Sequence, residues 1–242
     1  MSLIIGSARI DENRNIKGGK AGDQKQTSAT NDTKGEVSMQ NFYVHSKGWI
    51  ILRFKEGAHA NAAASSMRTA CNNSNIGYDQ NQRTGILKYG TATAIKTEAD
   101  CSSLVRQCVK EATGIDPGNF NTGTEVNTLK KTGLFKDPIM FESLDKTPLF
   151  TGDILVTKTR GHTVIVVSGN ERAVEVTSDT YYNACDKSFK SIVDALKSVG
   201  ETDTSLSHRV NLAVRNNVTT SNNIRMNTKL LELLKAGKLI KD

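Results

Sequence analysis

A cysteine that directly follows an aspartate is the residue of this sequence with the clearest potential for chemistry. Asp100 and Cys101 open a stretch whose apolar residues recur at helical spacing and which ends at Gly114, so the pattern predicts a helix beginning at the cysteine. Asp100 suits the N-cap position because its carboxylate can accept first-turn N–H groups. A thiol in the first turn lies at the positive end of the helix dipole, which favours the thiolate. The sequence therefore predicts a nucleophilic Cys101 with a lowered pKa.

A nucleophilic thiol needs a base, and His162 is the histidine whose position suits that role. Residues 152–156 and 162–167 are two strand-like runs joined by a short basic turn, which predicts a hairpin with His162 at the start of its second strand. Residues 173–177 predict a third strand, which would bring Glu175 within reach of the imidazole.

A carboxylate at Glu175 would fix the tautomer of the ring and stabilise the imidazolium. Glu171 and Asp179 are the alternatives for this orienting group. The chemistry that follows is amide hydrolysis through a thioester on Cys101, with an N–H group of Cys101 or Ser102 in the first helical turn as a donor to the oxyanion.

The motifs around the two reactive residues resemble those of a known family. Asp100-Cys101-Ser102-Ser103 before an apolar helix, followed by Gly152-Asp153 and Gly161-His162, resembles the NlpC/P60 and CHAP group of papain-like peptidoglycan hydrolases. The resemblance implies an α+β, papain-like NlpC/P60 fold, in which the helix bearing the nucleophile packs on a small antiparallel sheet or half-barrel. It implies Cys101, His162 and Glu175 as the catalytic residues, the last one position later than the family's usual spacing. It also implies that Asp100, and Ser102 with it, lie beside the substrate groove, where Asp100 can meet a free amine of a stem peptide.

A second set of motifs is similar to phage endolysins of Gram-positive hosts. The Asn-rich segment 72–83 contains Ile-Gly-Tyr-Asp-Gln, and the opening of the chain contains Gly22-Asp23-Gln24. This resemblance implies that Tyr78 and Asp79 line the substrate groove. The alternative is that both residues anchor a surface loop.

The composition predicts two parts of unequal size. Residues 1–202 are expected to form the catalytic domain, with a Gly-rich and partly flexible segment at 1–40 that, taken alone, predicts loop or disorder. Residues 203–242 are expected to form a polar linker and a C-terminal amphipathic helix over 226–238.

Charge and composition narrow the choice of partners. The formal net charge is +7, which suits a polyanion such as an anionic wall polymer. The basic residues are scattered and form no recognised nucleic-acid motif, so we expect no nucleic-acid partner. No run of eighteen apolar residues predicts a membrane span, and no secretory signal pattern opens the sequence. The four cysteines have no metal-ligand spacing, so neither a metal nor a cofactor is expected.

These observations together predict an endolysin-like peptidoglycan hydrolase that cuts an amide bond in stem peptides or bridges. An N-acetylmuramoyl-L-alanine amidase with the same residues, a transferase acting through the same acyl-enzyme, and a non-catalytic basic wall-binding protein are the alternatives. Such a protein would be made in the cytoplasm of a phage host or lysogen and act at the cell wall after release.

Overall fold

The chain divides into two compact units, Met1–Ala173 and Val174–Asp242. The computed structural model describes residues 2–22, 24, 30–170, 180–220 and 222–241. The division lies earlier in the chain than the expected boundary after residue 202. The region expected to end the catalytic domain therefore belongs to the second unit.

A six-stranded antiparallel sheet forms the centre of the first unit. Its strand order is β2-β1-β8-β7-β3-β6, and a separate parallel pair joins β4 to β5. The strands are β1 (Ile4–Ala8), β2 (Val37–Asn41), β3 (Trp49–Leu52), β4 (Ile76–Tyr78), β5 (Thr97–Ala99), β6 (Ile139–Met140), β7 (Ile154–Thr157) and β8 (Thr163–Ser168). The predicted β7–β8 hairpin is thus present, with each strand shifted by one or two residues.

Two helices cover one face of this sheet. The helices of the unit are α1 (Gly57–Cys71), α2 (Gly85–Tyr89), α3 (Cys101–Thr113) and α4 (Glu125–Lys131). Helices α1 and α3 pack against each other and against β1 and β8. The apolar face of α1 is buried, and its alanines permit this close approach. Its members are Ala60, Ala63, Ala64, Met67, Ala70 and Cys71.

Alternation along the strands creates a core on each side of the sheet. Ile154, Val156 and Ile165 belong to the core beneath the helices. Leu155 and Val164 face the opposite core, which also contains Trp49, Phe141 and Leu149. The unit is therefore a mixed α/β structure in which the cysteine-bearing helix packs on an antiparallel sheet, and the papain-like assignment within that class stays a prediction.

Gly152 and Asp153 fix the hairpin against α1 and β3. Gly152 has φ +85°, and a Cβ atom on it would lie 2.3 Å from the carbonyl oxygen of Ala60. Asp153 is fully buried and accepts hydrogen bonds from Arg53 at 3.0 Å and 2.8 Å. The glycine thus allows backbone contact with α1, and the ion pair joins the start of β7 to the end of β3.

The described part of the amino-terminal segment contains strands that its composition does not predict. Its first residues form β1, which lies inside the sheet between β2 and β8. Its last residues form most of β2, which ends at Asn41. Apolar side chains explain this outcome, because Ile4, Ile5 and Val37 are buried although the segment around them in the sequence is mostly polar.

The second unit has a helical core of its own. Its helices are α5 (Ile192–Ser198), α6 (Leu206–Arg215) and α7 (Asn223–Lys235). Leu196, Leu212 and Leu230, one from each helix, belong to a single buried cluster. Helix α6 occupies the expected linker, because the side chain of Ser205 caps its first turn and Leu212 contributes to the core. Within the described ranges, no helix is long and apolar enough to cross a membrane.

Candidate active site

Cys101 is the first residue of α3, and Asp100 alone separates it from the end of β5. Asp100 Oδ1 accepts a hydrogen bond from the Ser103 N–H at 2.7 Å, and Ser103 Oγ accepts one from the Asp100 N–H at 2.9 Å. This reciprocal capping box fixes the start of the helix. Gly114 ends it with φ +73°. Both predicted ends of the helix are confirmed.

The pKa of the Cys101 thiol differs from the expectation. Cys101 is only 8% exposed. Burial, followed by the negative charge of Asp100 and that of Glu125 where it is ionised, raises the pKa of Cys101 to about 12. A helix end contributes only about 0.3–1 kcal/mol, whereas one pKa unit corresponds to about 1.4 kcal/mol. The predicted lowering of the pKa is therefore wrong for the resting site, because desolvation outweighs the dipole.

The start of β8 meets the start of α3 at this thiol. The backbone of Thr163 hydrogen-bonds the Cys101 thiol and lowers its pKa, although less than burial raises it. His162 directly precedes Thr163 and is held by Thr157, whose Oγ1 accepts from the His162 N–H at 3.0 Å. Two residues 61 positions apart in sequence, Cys101 and His162, are thus brought to the same end of the sheet.

The His162 imidazole has a partner that the sequence did not suggest. Its Nε2 lies 3.3 Å from Ser7 Oγ on β1. Burial, then the positive charge of Arg9 and of His45, lowers the pKa of His162 to about 4. Among the described residues, the ring's side-chain hydrogen bond is the one to Ser7, and none joins the ring to the Cys101 sulfur. The resting pair is a neutral thiol and a neutral imidazole.

The predicted orienting carboxylate lies outside the described residues. Glu175 falls in the stretch 171–179, as do the alternatives Glu171 and Asp179. Ser7 therefore stands as the described partner of the ring. A serine inside the short buried run Ile4–Ala8 was the signal that could have indicated it.

Asp100 is shared between the helix cap and an arginine. Its Oδ2 forms an ion pair with Arg83 Nε at 2.7 Å. Arg83 also donates through Nη2 to the Phe120 carbonyl at 2.8 Å. Arg83 thus ties the segment before α2 to the cap of α3 and to the chain leading into α4, a role that sequence reasoning missed.

Tyr78 and Asp79 have different environments. Tyr78 ends β4; burial raises its pKa to about 12, and the nearby acidic groups of Cys101, Asp100 and Asp79 add to this effect. Its hydroxyl accepts from Gln80 Nε2 at 3.1 Å. Asp79 uses both carboxylate oxygens for backbone N–H groups, those of Gly18 at 3.2 Å and Asn81 at 2.6 Å. The structure therefore places Tyr78 within electrostatic range of the thiol and uses Asp79 to hold the adjacent loops.

Ser102 and Glu125 complete the surroundings of the thiol. Ser102 Oγ lies 4.0 Å from Cys101 Sγ. Glu125 is fully buried, and its Oε1 accepts from Thr163 Oγ1 at 2.7 Å. The signal for Glu125 was its position four residues before the buried Leu129, which puts a carboxyl group on the apolar face of a short helix.

The described cysteines, histidines and acids form no metal-ligand cluster. In the ranges that the structure covers, no group of three or more His, Cys, Asp or Glu side chains could hold a metal ion. All four cysteines are buried and free of disulfides.

Comparison with known proteins identifies the family. A family model described as an endolysin-like domain matches residues 5–173, and the match ends where the chain divides into two units. The chain belongs to the endolysin-like domain family. Membership indicates a cell-wall lytic function of the phage endolysin type, with peptidoglycan as the substrate. No curated protein and no solved structure matches the chain.

Proposed function

We propose that the first unit hydrolyses an amide bond in the stem peptides or bridges of peptidoglycan through a thioester on Cys101. The observation that carries the proposal is the first-turn thiol in contact with the backbone of Thr163, the residue after His162, in a chain of the endolysin-like family. The narrower relationship to the NlpC/P60 and CHAP hydrolases is part of this proposal. By the same family membership, the protein would be made in the cytoplasm of a phage host or lysogen and act at the wall after release.

The first half of the reaction forms the acyl-enzyme. The Cys101 sulfur attacks the carbonyl carbon while its proton passes to His162 Nδ1, since Nε2 is held by Ser7. The imidazolium then gives this proton to the leaving amine, and the C–N bond breaks. Hydrogen bonds of this kind are often incomplete in a free enzyme and tighten when substrate binds. In the second half, His162 takes a proton from water as the water attacks the thioester. The C–S bond then breaks, the carboxylic acid leaves, and His162 returns the proton to the Cys101 sulfur.

The first turn of α3 offers donors for the oxyanion. Asp100 already accepts the N–H groups of Ser103 and Leu104, through its side chain and its carbonyl oxygen. The N–H groups of Cys101 and Ser102 have no acceptor within a helix, because they belong to its first turn. Removing one such donor costs on the order of 10²–10³ in turnover in well-studied hydrolases.

Substrate contacts would follow from the groups around the thiol. A stem-peptide amine that binds Asp100 has to compete with Arg83, which lies 2.7 Å from the same carboxylate. Tyr78, buried at the end of β4, would line the groove near the scissile bond. Ser102 would contribute through its backbone N–H. Asp79 would act indirectly, by holding the loop that carries Tyr78.

Digestion of purified Gram-positive sacculi tests the proposal. Cys101→Ala and His162→Ala should lower fragment release by on the order of 10³-fold or more, with circular dichroism confirming that every variant is folded at the assay temperature. Cys108→Ala is the matched control, because Cys108 lies on the same helix but inside the core. Full release by Cys101→Ala would contradict the thioester mechanism.

Mass spectrometry of the fragments separates the alternatives. New amino termini within stem peptides or bridges would identify an endopeptidase, whereas stem peptides freed from the glycan with N-terminal alanine would identify the amidase. Peptides joined to a new amine would identify a transferase. Binding to sacculi without release by any variant, wild type included, would identify a wall-binding protein.

A further inference from the structure

Glu125 is a buried carboxyl group beside the nucleophile that the mechanism above does not use. It is the first residue of α4 and is fully buried. Its Oε1 accepts from the hydroxyl of Thr163 at 2.7 Å, and Thr163 is the residue whose backbone contacts the thiol. The hydroxyl of Ser102, on the helix of the nucleophile, is also near enough to influence the carboxyl group. Glu125 therefore connects α3 to the start of β8.

The surroundings of Glu125 favour its protonated form. Its Oε2 is buried and accepts no hydrogen bond that meets normal geometry within the described part of the chain, and an ionised oxygen in that position would be costly. Burial raises the pKa of Glu125 to about 8, with Asp100 adding to the rise. Thr163, Arg83 and Ser102 act in the opposite direction and are outweighed.

The charge on Glu125 bears on the charge of the sulfur. The groups that act on this carboxyl are Asp100 and Ser102 at the start of α3, Arg83 before α2, and Thr163 on β8. Asp100 and Arg83 form an ion pair, so their charges offset each other. An ionised Glu125 adds a negative charge beside Cys101 and raises the pKa of the thiol, whereas a protonated Glu125 does not.

We propose that Glu125 is a positioning residue that keeps its proton while Cys101 reacts, so that it aligns Ser102 and Thr163 and adds no negative charge next to the forming thiolate. The inference rests on the proposed function, since it gives Glu125 a role in that reaction. The glutamine variant is the sharpest probe, because it keeps the shape and the acceptor oxygen but cannot ionise.

A pH profile of hydrolysis on soluble peptidoglycan fragments tests whether Glu125 has to keep its proton. Wild-type kcat should be level from about pH 6 to 7 and fall about tenfold by about pH 9, because most of Glu125 is then ionised. Glu125→Gln should keep kcat within about threefold at pH 7 and lose the alkaline fall. Glu142→Gln, the same change at an exposed site of the first unit, should retain the wild-type profile.

The hydroxyl partner of Glu125 gives a second test that does not alter the acid. Thr163→Val should lower kcat about tenfold at every pH, and Thr163→Ser, which restores the hydroxyl, should recover most of it. This pair also carries the test of positioning should Glu125→Gln fail to fold. Equal kcat in the two variants would overturn the positioning role.

Alkylation of the thiol separates this inference from the proposed function. Iodoacetamide at about pH 9 should label Cys101 at least about threefold faster in Glu125→Gln than in wild type, with Cys108 as the internal reference in peptide mass spectra. The inference is overturned by equal labelling, by an unchanged alkaline fall, or by a folded Glu125→Gln protein that is inactive at every pH. If Cys101→Ala hydrolyses normally, the proposed function fails instead, and the labelling comparison still decides whether Glu125 controls the thiol.

Discussion

Burial, more than local charge, determines the protonation state of each reactive side chain in this site. It raises the pKa of Cys101 to about 12 and lowers the pKa of His162 to about 4. Between these values the thiol and the imidazole are both neutral, so no ion pair forms in advance. Proton transfer would then accompany attack on the substrate. A bound substrate that excludes water from the sulfur would remove no solvation from a charge, because the resting thiol is neutral.

Removing the hydroxyl of Ser7 tests the partner of the ring. Ser7→Ala should lower kcat about tenfold with little change in KM, because Nε2 loses the group that holds the ring in one orientation. The measurement is steady-state hydrolysis of soluble fragments, together with the unfolding temperature. Ser46→Ala, at an exposed position, is the control. A kcat equal to that of wild type would assign the orienting role to a residue elsewhere, with Glu175 the first to test.

For individual residues, the sequence allowed part of the site to be predicted. The position of Cys101 behind a capping aspartate could be read directly, because an N-cap and helical spacing are local patterns. The partners of Ser7 and Glu125 could not be assigned from the sequence, since each meets its partner only after distant elements pack together. The pKa of Cys101 was mispredicted for the same reason: burial by β8 and α4 is not a property of the helix alone.

Among the elements, α1 and the start of β7 make a close backbone contact at Gly152. Gly152→Ala should destabilise the first unit by about 2–4 kcal/mol, because it combines a strained positive φ with a Cβ atom placed 2.3 Å from the Ala60 carbonyl oxygen. Gly118→Ala is the matched control. Gly118 has φ +89° but open space around its Cβ position, so only the backbone cost of about 1–2 kcal/mol remains.

Urea unfolding of both variants measures the difference. The prediction requires a larger loss in the free energy of unfolding for Gly152→Ala, since Gly118→Ala carries the backbone cost alone. Equal losses would mean that α1 moves away from β7 without resistance. In that case the close approach would not fix the hairpin.

Elements with a strong local pattern were predicted well, and those that depend on distant partners were not. Helix α3 has the predicted ends, because a capping aspartate, apolar residues at helical spacing and a terminal glycine mark them in the sequence. Strand β1 lies in a segment that its composition assigns to loop, and it exists because β2 and β8 pair with both of its edges. Helix α6 was missed because polar residues surround the few apolar ones that enter the core of its unit.

For the whole molecule, the net charge of +7 predicts attraction to anionic wall polymers. Binding to walls that carry such polymers should fall at least about threefold between about 0.05 M and 0.5 M NaCl, because salt shortens the range of charge interactions. Co-sedimentation measures the bound fraction. Walls stripped of their anionic polymers are the control and should show weaker binding with little salt dependence. The same salt dependence on both walls would contradict a role for these polymers.

The contact between Ser7 and His162 joins residues 155 positions apart. During synthesis, the first strand leaves the ribosome long before the hairpin that completes its second edge has been made. A nascent chain therefore holds its thiol without a fixed imidazole until translation has passed β8. The reactive pair would therefore be assembled only after β8, the last strand of this sheet in chain order, has been synthesised.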